Sequence, residues 1–343
     1  MADSPAALCL PQALKPPRGP LHGRSEDLAA LAALLNQHAL VSVVAAGGMG
    51  KTRLARHLLA RLAPRHADGA CWIALAAQGD VVQAIAGAVG LPLSAGDPLA
   101  QLCAALAPLS LLIALDAAEH RLEATARTCQ ALLAAAPGLR IVVTSHVPLM
   151  LPLERLYRLG PLAAPQGPLP AARAQGFAAV ALFAERAAQA DPRFSLTDAN
   201  AADVIALCRA LDGQVLALEL AAACLPEHGV AELAASLQQR LRLLIATRNR
   251  IAPAARQQTL RAIFDIGHAL LAPQQAAVLR RLAGLTGHFD PTHAALADVP
   301  NLPAVLAALA RRAMLALDSA PGEPLQYRLP DALRSIALAL QPA

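Results

Sequence analysis

The sequence predicts an α/β protein in which a parallel β-sheet, covered by helices on both faces, precedes a largely helical region. Three observations predict this fold class. Apolar, strand-like runs alternate with helical stretches from residue 40 to residue 159, a pattern typical of parallel sheets. A glycine-rich segment, residues 45–52, separates the first strand from the first helix. The alternation ends at a proline-rich connector, residues 161–170, and the remaining pattern is helical.

Five short apolar runs have the length of buried strands. They are residues 40–44, 70–75, 110–115, 140–144 and 155–159. The helical stretches between them are residues 51–62, 80–89, 99–107 and 119–135. We therefore expect a sheet domain over residues 22–162, preceded by a mobile, proline-rich leader at residues 1–21.

Helices dominate the rest of the chain. Those of a helical domain at residues 163–250 are 177–190, 198–211, 215–224 and 230–244. A linker, residues 246–255, leads to helices at 257–271, 274–285 and 302–315 and to a last helix that begins near Asp331. Two short strands flank a turn at residues 319–322. Helices, a two-stranded ribbon and a final helix predict a winged-helix domain over residues 251–343.

The segment Ala45-Ala46-Gly47-Gly48-Met49-Gly50-Lys51-Thr52 joins the first strand to the first helix. In this arrangement, glycine backbone N–H groups point at phosphate oxygens from a helix N-terminus. We expect Lys51 to reach the β- and γ-phosphates and the Thr52 hydroxyl to coordinate Mg²⁺. The chain has only two lysines, Lys15 and Lys51, so a compact ammonium is retained where it suits a phosphate. The sequence thus predicts a P-loop NTPase sheet that binds ATP or ADP with Mg²⁺; the alternative is a glycine turn without a ligand.

Two later strands end in polar residues. Asp116 follows residues 111–115 and is expected to act on the same Mg²⁺, and Glu119 is a candidate to polarise the attacking water. Thr144 and His146 follow the next strand and would face the same crevice, where they could sense the γ-phosphate. The alternatives are structural: Asp116 as a helix N-cap, Glu119 as a first-turn residue, and Thr144 and His146 as turn residues.

Composition excludes several functional classes. The net charge of +5 comes from scattered arginines, which is typical of a solvated surface. Aromatic residues make up 2% of the chain, too few for a base-stacking platform. An uncharged run at residues 98–115 is divided by Pro108 and Ser110 into a helix and a strand. We see no signal peptide and expect a cytoplasmic protein without membrane contact.

The six cysteines contain no CxxC pair, and no histidine pairs with them at ligand spacing. Buried free thiols in a reducing compartment are therefore expected, and zinc is not.

Seven segments recur in an order and spacing that resemble the NB-ARC-type STAND ATPases (AP-ATPases) of bacterial transcriptional regulators. They are GRSEDL at 23–28, GGMGKTRLA at 47–55, LDAAEH at 115–120, VTSHVPL at 143–149, LDGQVLALELAA at 211–222, QQTLR at 257–261 and YRLPDALR at 327–334. The resemblance implies three domains that close around ADP and open with ATP, the winged helix acting as a lever and usually not as a DNA reader. It also places Gly23 and Arg24 beside the adenine or ribose. Such proteins add an N-terminal DNA-binding or a C-terminal repeat domain, and neither pattern is evident here.

The nucleotide-contacting set expected from motif and resemblance together is Gly23, Arg24, Gly47, Gly48, Met49, Gly50, Lys51, Thr52, Arg53, Thr144 and His146. Several positions depart from the family pattern. Ala45 replaces a glycine, Ala117 an asparagine, His146 an arginine that would bind the γ-phosphate, and Val215 a proline. Because an imidazole is mostly neutral near pH 7, a fixed positive charge is lost at His146. Nucleotide binding is therefore expected, with slow or weak hydrolysis.

These features favour a nucleotide-dependent switch in transcriptional regulation that acts through a protein partner or a homo-oligomer. One alternative is a degenerate, non-hydrolysing nucleotide-binding scaffold. Another is a DNA-binding AAA-like protein whose winged helix contacts duplex phosphates through Arg280-Arg281 and Arg311-Arg312. Paired arginines at helix ends are more often solvated, so DNA contact is not favoured.

Overall fold

A computed structural model describes residue 17 and residues 19–75, 80–246, 255–285, 287–317 and 325–339. The described residues form two compact units. The first contains those up to Ala45 together with Lys51–Leu159, and the second contains Ala46–Gly50 and those from Gly160 onward. Most of the leader expected at residues 1–21, most of the linker at 246–255 and the turn at 319–322 lie outside the described residues.

The first unit is built on a five-stranded parallel sheet. Its strands are β1 (Leu40–Val44), β2 (Ala70–Ala74), β3 (Leu112–Asp116), β4 (Arg140–Ser145) and β5 (Glu154–Arg158). Their order is β2-β3-β4-β1-β5, so β4 lies between the strand before the glycine loop and the strand that ends in Asp116. All five predicted strands are confirmed. At the β5 edge of the sheet, Arg155, Leu156 and Arg158 are exposed.

Helices cover this sheet on both faces, as predicted. They are α1 (Ser25–Gln37), α2 (Lys51–Leu62), α3 (Val81–Ala88), α4 (Pro98–Leu106) and α5 (Leu122–Ala135). Ile113 and Leu115 share a buried cluster with α3, α4 and α5. Successive strand residues point to opposite faces, so Leu112 and Ala114 face the other side, where α2 packs.

Helix α1 was not predicted from the sequence. It lacks a polar run that would mark a boundary, and alanines dilute its periodicity. The available signal was two acidic residues in the first turn, Glu26 and Asp27, followed by buried residues at Leu31, Ala32 and Leu35. This spacing is that of one helical face.

The second unit is mainly helical. Its helices are α6 (Ala171–Ala174), α7 (Ala178–Ala190), α8 (Ala201–Ala210), α9 (Val215–Ala223), α10 (Val230–Ala246), α11 (Ala255–Ala269), α12 (Pro273–Ala283), α13 (Leu302–Arg311) and α14 (Asp331–Leu338). Three two-residue strands, β6 (His288–Phe289), β7 (Ala316–Leu317) and β8 (Tyr327–Arg328), form an antiparallel sheet in the order β6-β8-β7. The sequence predicted the last two strands and not β6. One apolar cluster runs from Leu162 to Ala337.

The thiols are buried, as the composition predicted. The five described cysteines are free, and Cys71, Cys129, Cys208 and Cys224 are buried. Burial is the main cause that raises the pKa of these four thiols to about 12, so they are protonated and unreactive near neutral pH. Within the described ranges, no helix is both long enough and apolar enough to cross a bilayer. The uncharged run at residues 98–115 forms α4 and most of β3 instead.

Candidate phosphate-binding site

The glycine loop has the backbone conformation that its sequence predicts. Gly48 and Gly50 have φ angles of +77° and +88°, a region in which a side chain would be strained. Lys51 begins α2 and is 8% exposed, and its Nζ donates a hydrogen bond to the carbonyl of Ala45, 2.8 Å away. The Met49 side chain is fully buried, so it is not exposed to a ligand.

Two loop carbonyls are held by the N-terminus of α9, within the second unit. Gln214 Nε2 donates to the Gly47 carbonyl at 2.9 Å, and the Leu216 N–H donates to the Gly48 carbonyl at 3.0 Å. In a trans peptide bond, the carbonyl of one residue and the N–H of the following residue point in opposite directions. The N–H groups of Gly48 and Met49 are therefore directed away from α9, as phosphate-binding amides require.

A hydroxyl–carboxylate cluster joins the first turn of α2 to the ends of β3 and β4. The Thr52 hydroxyl lies 2.9 and 3.1 Å from the two Asp116 carboxylate oxygens. The Thr144 hydroxyl also donates to Asp116 and accepts the Ala117 N–H at 3.1 Å. Asp116 is 7% exposed and Thr144 is 1% exposed. The structure thus brings Thr144 together with Thr52 and Asp116, the two residues that the sequence placed around Mg²⁺.

Glu119 and His146 form a polar pair that is separate from this cluster. Residues 118–121 form a short 3₁₀ turn, so α5 begins at Leu122 and not at Glu119 as the sequence predicted. Ala117, with a φ of 60°, bends the chain between β3 and this turn. The His146 Nε2 lies 3.1 Å from Glu119 Oε1.

Arg24 lies in a network that the sequence did not reveal. Its guanidinium, on a side chain 6% exposed, pairs with Asp27 at 3.2 Å, and the Tyr157 hydroxyl donates to the other Asp27 oxygen at 2.5 Å. Burial and, second, this hydrogen bond raise the pKa of Tyr157 to about 12. Gly23 has a φ of +61°. The predicted contact residue Arg53 donates through Nη2 to the Pro20 carbonyl at 3.1 Å.

The residues present fit a nucleotide with Mg²⁺. An ammonium and left-handed glycines suit phosphate oxygens, and a hydroxyl beside a carboxylate is a donor set that Mg²⁺ accepts. Two residues were missed in addition to Asp27 and Tyr157. Gln214 and Leu216 lie more than 160 positions from the loop, and the only sequence signal was their place in a family-like segment.

We expect Thr144→Val to lower the free energy of unfolding by about 1–3 kcal/mol, because Asp116 loses a donor and the Ala117 N–H loses its acceptor. Urea denaturation followed by circular dichroism measures this change. Thr125→Val is the matched control, since Thr125 is fully buried and its hydroxyl has no hydrogen-bond partner among the residues that the structure describes. Equal effects of the two substitutions would contradict the role assigned to Thr144.

Comparison with known proteins identifies relatives over most of the chain. "Putative HTH-type transcriptional regulator Rv0890c" of Mycobacterium tuberculosis is 35% identical over 317 residues, which are 89% of this chain and 34% of that protein. "Uncharacterized protein Rv0894" of the same species is 34% identical over 273 residues, 78% of this chain and 66% of that protein. The chain thus spans about one third of the length of the first relative. No protein-family model matches it.

A solved structure supports the fold. The signal transduction ATPase with numerous domains (STAND) from Pyrococcus horikoshii, which carries a tetratricopeptide repeat sensor, aligns with a TM-score of 0.60 and 14% identity. The alignment covers 96% of this chain and 44% of that one. The chain therefore has a P-loop NTPase-like fold that matches that of a STAND ATPase.

Proposed function

We propose that this chain is a nucleotide-dependent regulatory switch that binds ADP or ATP with Mg²⁺. The observation that carries the proposal is the cluster of Thr52, Asp116 and Thr144 beside a buried Lys51 at the start of α2. A lysine, a hydroxyl and a carboxylate on one glycine loop and two adjacent strand ends are the parts that phosphoryl-binding sites of this fold require.

Each residue has a chemical role in this proposal. Amides of Gly47, Gly48, Met49 and Gly50 and the Lys51 ammonium bind the phosphates. Thr52 and Asp116 hold Mg²⁺, which when bound neutralises charge on the phosphate oxygens. Thr144 fixes the Asp116 carboxylate. Gly23 and Arg24 would contact the base or ribose, with Arg24 oriented by Asp27, and Arg53 is a further proposed nucleotide contact.

Turnover is proposed to be slow. Glu119 is the candidate base for the attacking water, and no arginine stands at His146 to supply a fixed charge to the γ-phosphate. A protein with tight phosphate binding and weak hydrolysis functions as a switch between nucleotide states.

The remaining architecture follows from the proposed membership of the NB-ARC-type STAND ATPases (AP-ATPases). A P-loop domain at residues 22–162, a helical domain at 163–250 and a winged helix at 251–343 would form the module. The names of the relatives support a role in transcriptional regulation, exerted through a protein partner or a homo-oligomer. Direct DNA reading is not favoured: Arg281 pairs with Asp298 at 2.7 Å, and Arg312 pairs with Glu227 at 2.7 Å.

The test is nucleotide identification in freshly purified protein, by acid extraction and ion-exchange chromatography. We expect bound ADP in near-stoichiometric amount, and slow release of phosphate when ATP and Mg²⁺ are added. Nucleotide without any turnover would favour the scaffold alternative. Absence of both retained and added nucleotide binding would refute the switch.

A further inference from the structure

The pair formed by His146 and Glu119 has a geometry that the phosphate-sensing role does not explain. The imidazole Nε2 is 3.1 Å from Glu119 Oε1, so this nitrogen is engaged by a carboxylate. The second carboxylate oxygen, Oε2, is buried and has no hydrogen-bond partner among the described residues. The Glu119 side chain as a whole is 14% exposed.

We infer that His146 is a positioning residue for Glu119 rather than a ligand of the γ-phosphate. The inference rests on the proposed function, because Glu119 is its candidate base. A carboxylate held through one oxygen keeps the other in a fixed direction, and Oε2 is the atom that accepts a proton from the attacking water. Leaving a buried acceptor without a hydrogen-bond donor is costly, so Oε2 is suited to a water molecule.

The two partners differ in how firmly the backbone holds them. His146 follows β4, which is paired with β1 and β3 on its two sides, and the next N–H, of Val147, donates to Ser145 Oγ at 3.2 Å. Glu119 lies in a four-residue 3₁₀ turn on a side chain with three rotatable bonds. The strand end is therefore the fixed element, and the imidazole restrains the glutamate.

If His146 positions Glu119, its loss should affect ATP hydrolysis and not nucleotide binding. His146→Ala removes the restraint and should lower kcat for ATP hydrolysis by about 10–100-fold, since small displacements of a catalytic group carry costs of this size. The ADP dissociation constant should stay within about twofold, because no ground-state contact is lost. His146→Gln retains an N–H donor and should recover most of the rate. Val147→Ala, at an adjacent residue that is 46% exposed, is the matched control.

A double-mutant cycle tests the mechanism. If His146 acts through Glu119, His146→Ala should have little further effect on kcat in a Glu119→Gln background. Additive losses would show an independent role, as a phosphate ligand would have, and would overturn the inference. A tenfold or greater increase in the ADP dissociation constant of His146→Ala would also overturn the inference.

A readout without nucleotide completes the test. In the long-range ¹H–¹⁵N spectrum of the nucleotide-free protein, signals lost in His146→Gln identify the His146 ring. Glu119→Gln should shift the Nε2 resonance of His146, and an unchanged resonance would contradict the pairing of the two side chains. The proposed function is judged separately by Lys51-dependent ADP binding. Binding with no Glu119-dependent turnover in the wild type overturns only the inference about His146.

Discussion

Replacing Lys51 with alanine is expected to weaken ADP binding by about 10–100-fold. A charge-assisted hydrogen bond contributes about 1.5–3 kcal/mol, and each 1.4 kcal/mol corresponds to about tenfold in affinity. The ammonium lies at the start of α2 and is 8% exposed. Its positive charge is therefore poorly screened by water and acts strongly on a phosphate. Isothermal titration calorimetry with ADP and Mg²⁺ measures the loss.

The chain provides a matched control for this substitution. Lys15 is the only other lysine, and Lys15→Ala should leave ADP binding unchanged. Because Lys51→Ala also removes the donor to the Ala45 carbonyl, the melting temperature of both variants should be recorded without nucleotide. A folded Lys51→Ala protein with wild-type affinity would rule out the proposed phosphate site.

Replacing Gly213 with alanine should destabilise the second unit by about 3 kcal/mol or more. Gly213 has a φ of +58°, and an added Cβ would lie 2.0 Å from the carbonyl oxygen of Leu162. The left-handed conformation alone costs an alanine about 1–2 kcal/mol. The overlap involves backbone atoms, so no rotamer change can relieve it. The Leu162 N–H also donates to the Gly213 carbonyl at 2.9 Å, and this bond would be displaced.

The Gly213→Ala substitution should also perturb the glycine loop, because Gln214 is the next residue and donates a hydrogen bond to the Gly47 carbonyl. We expect faster amide hydrogen exchange around residue 162 and in α9, together with weaker ADP binding. Gly167→Ala is the control: an added Cβ there meets no atom of the described part of the chain within 4 Å, and the change should be neutral or slightly stabilising. Equal stability of the two variants would contradict the assigned contact.

The sequence was most informative where local chemistry decides the structure. Runs of mainly apolar residues predicted β1 to β4, because strands that are covered by helices on both faces are apolar on both faces. The fifth run, at residues 155–159, is more polar, and β5 is the exposed edge strand. The hydroxyl–carboxylate cluster of Thr52, Asp116 and Thr144 was also predictable, since parallel strands end at a common edge.

Features set by tertiary contact were not predictable. The hydrogen bond from Gln214 to the Gly47 carbonyl joins residues that are 167 positions apart in the sequence. No local sequence pattern predicts a contact over that separation. The contact between His146 and Glu119 depends on a 3₁₀ turn, and this turn begins after Ala117, whose backbone is in the left-handed conformation. Strand β6 is two residues long, too short for a periodic signal.

The outer strand β5 has a consequence for how copies of this protein can associate. A strand at the end of a sheet exposes unpaired backbone groups to any other extended chain, and such edges favour aggregation. Here Arg155 and Arg158 are exposed on either side of Leu156. A β-strand of another chain that paired with β5 would have to desolvate both guanidinium groups. The two arginines thereby disfavour the addition of another strand at the β5 edge.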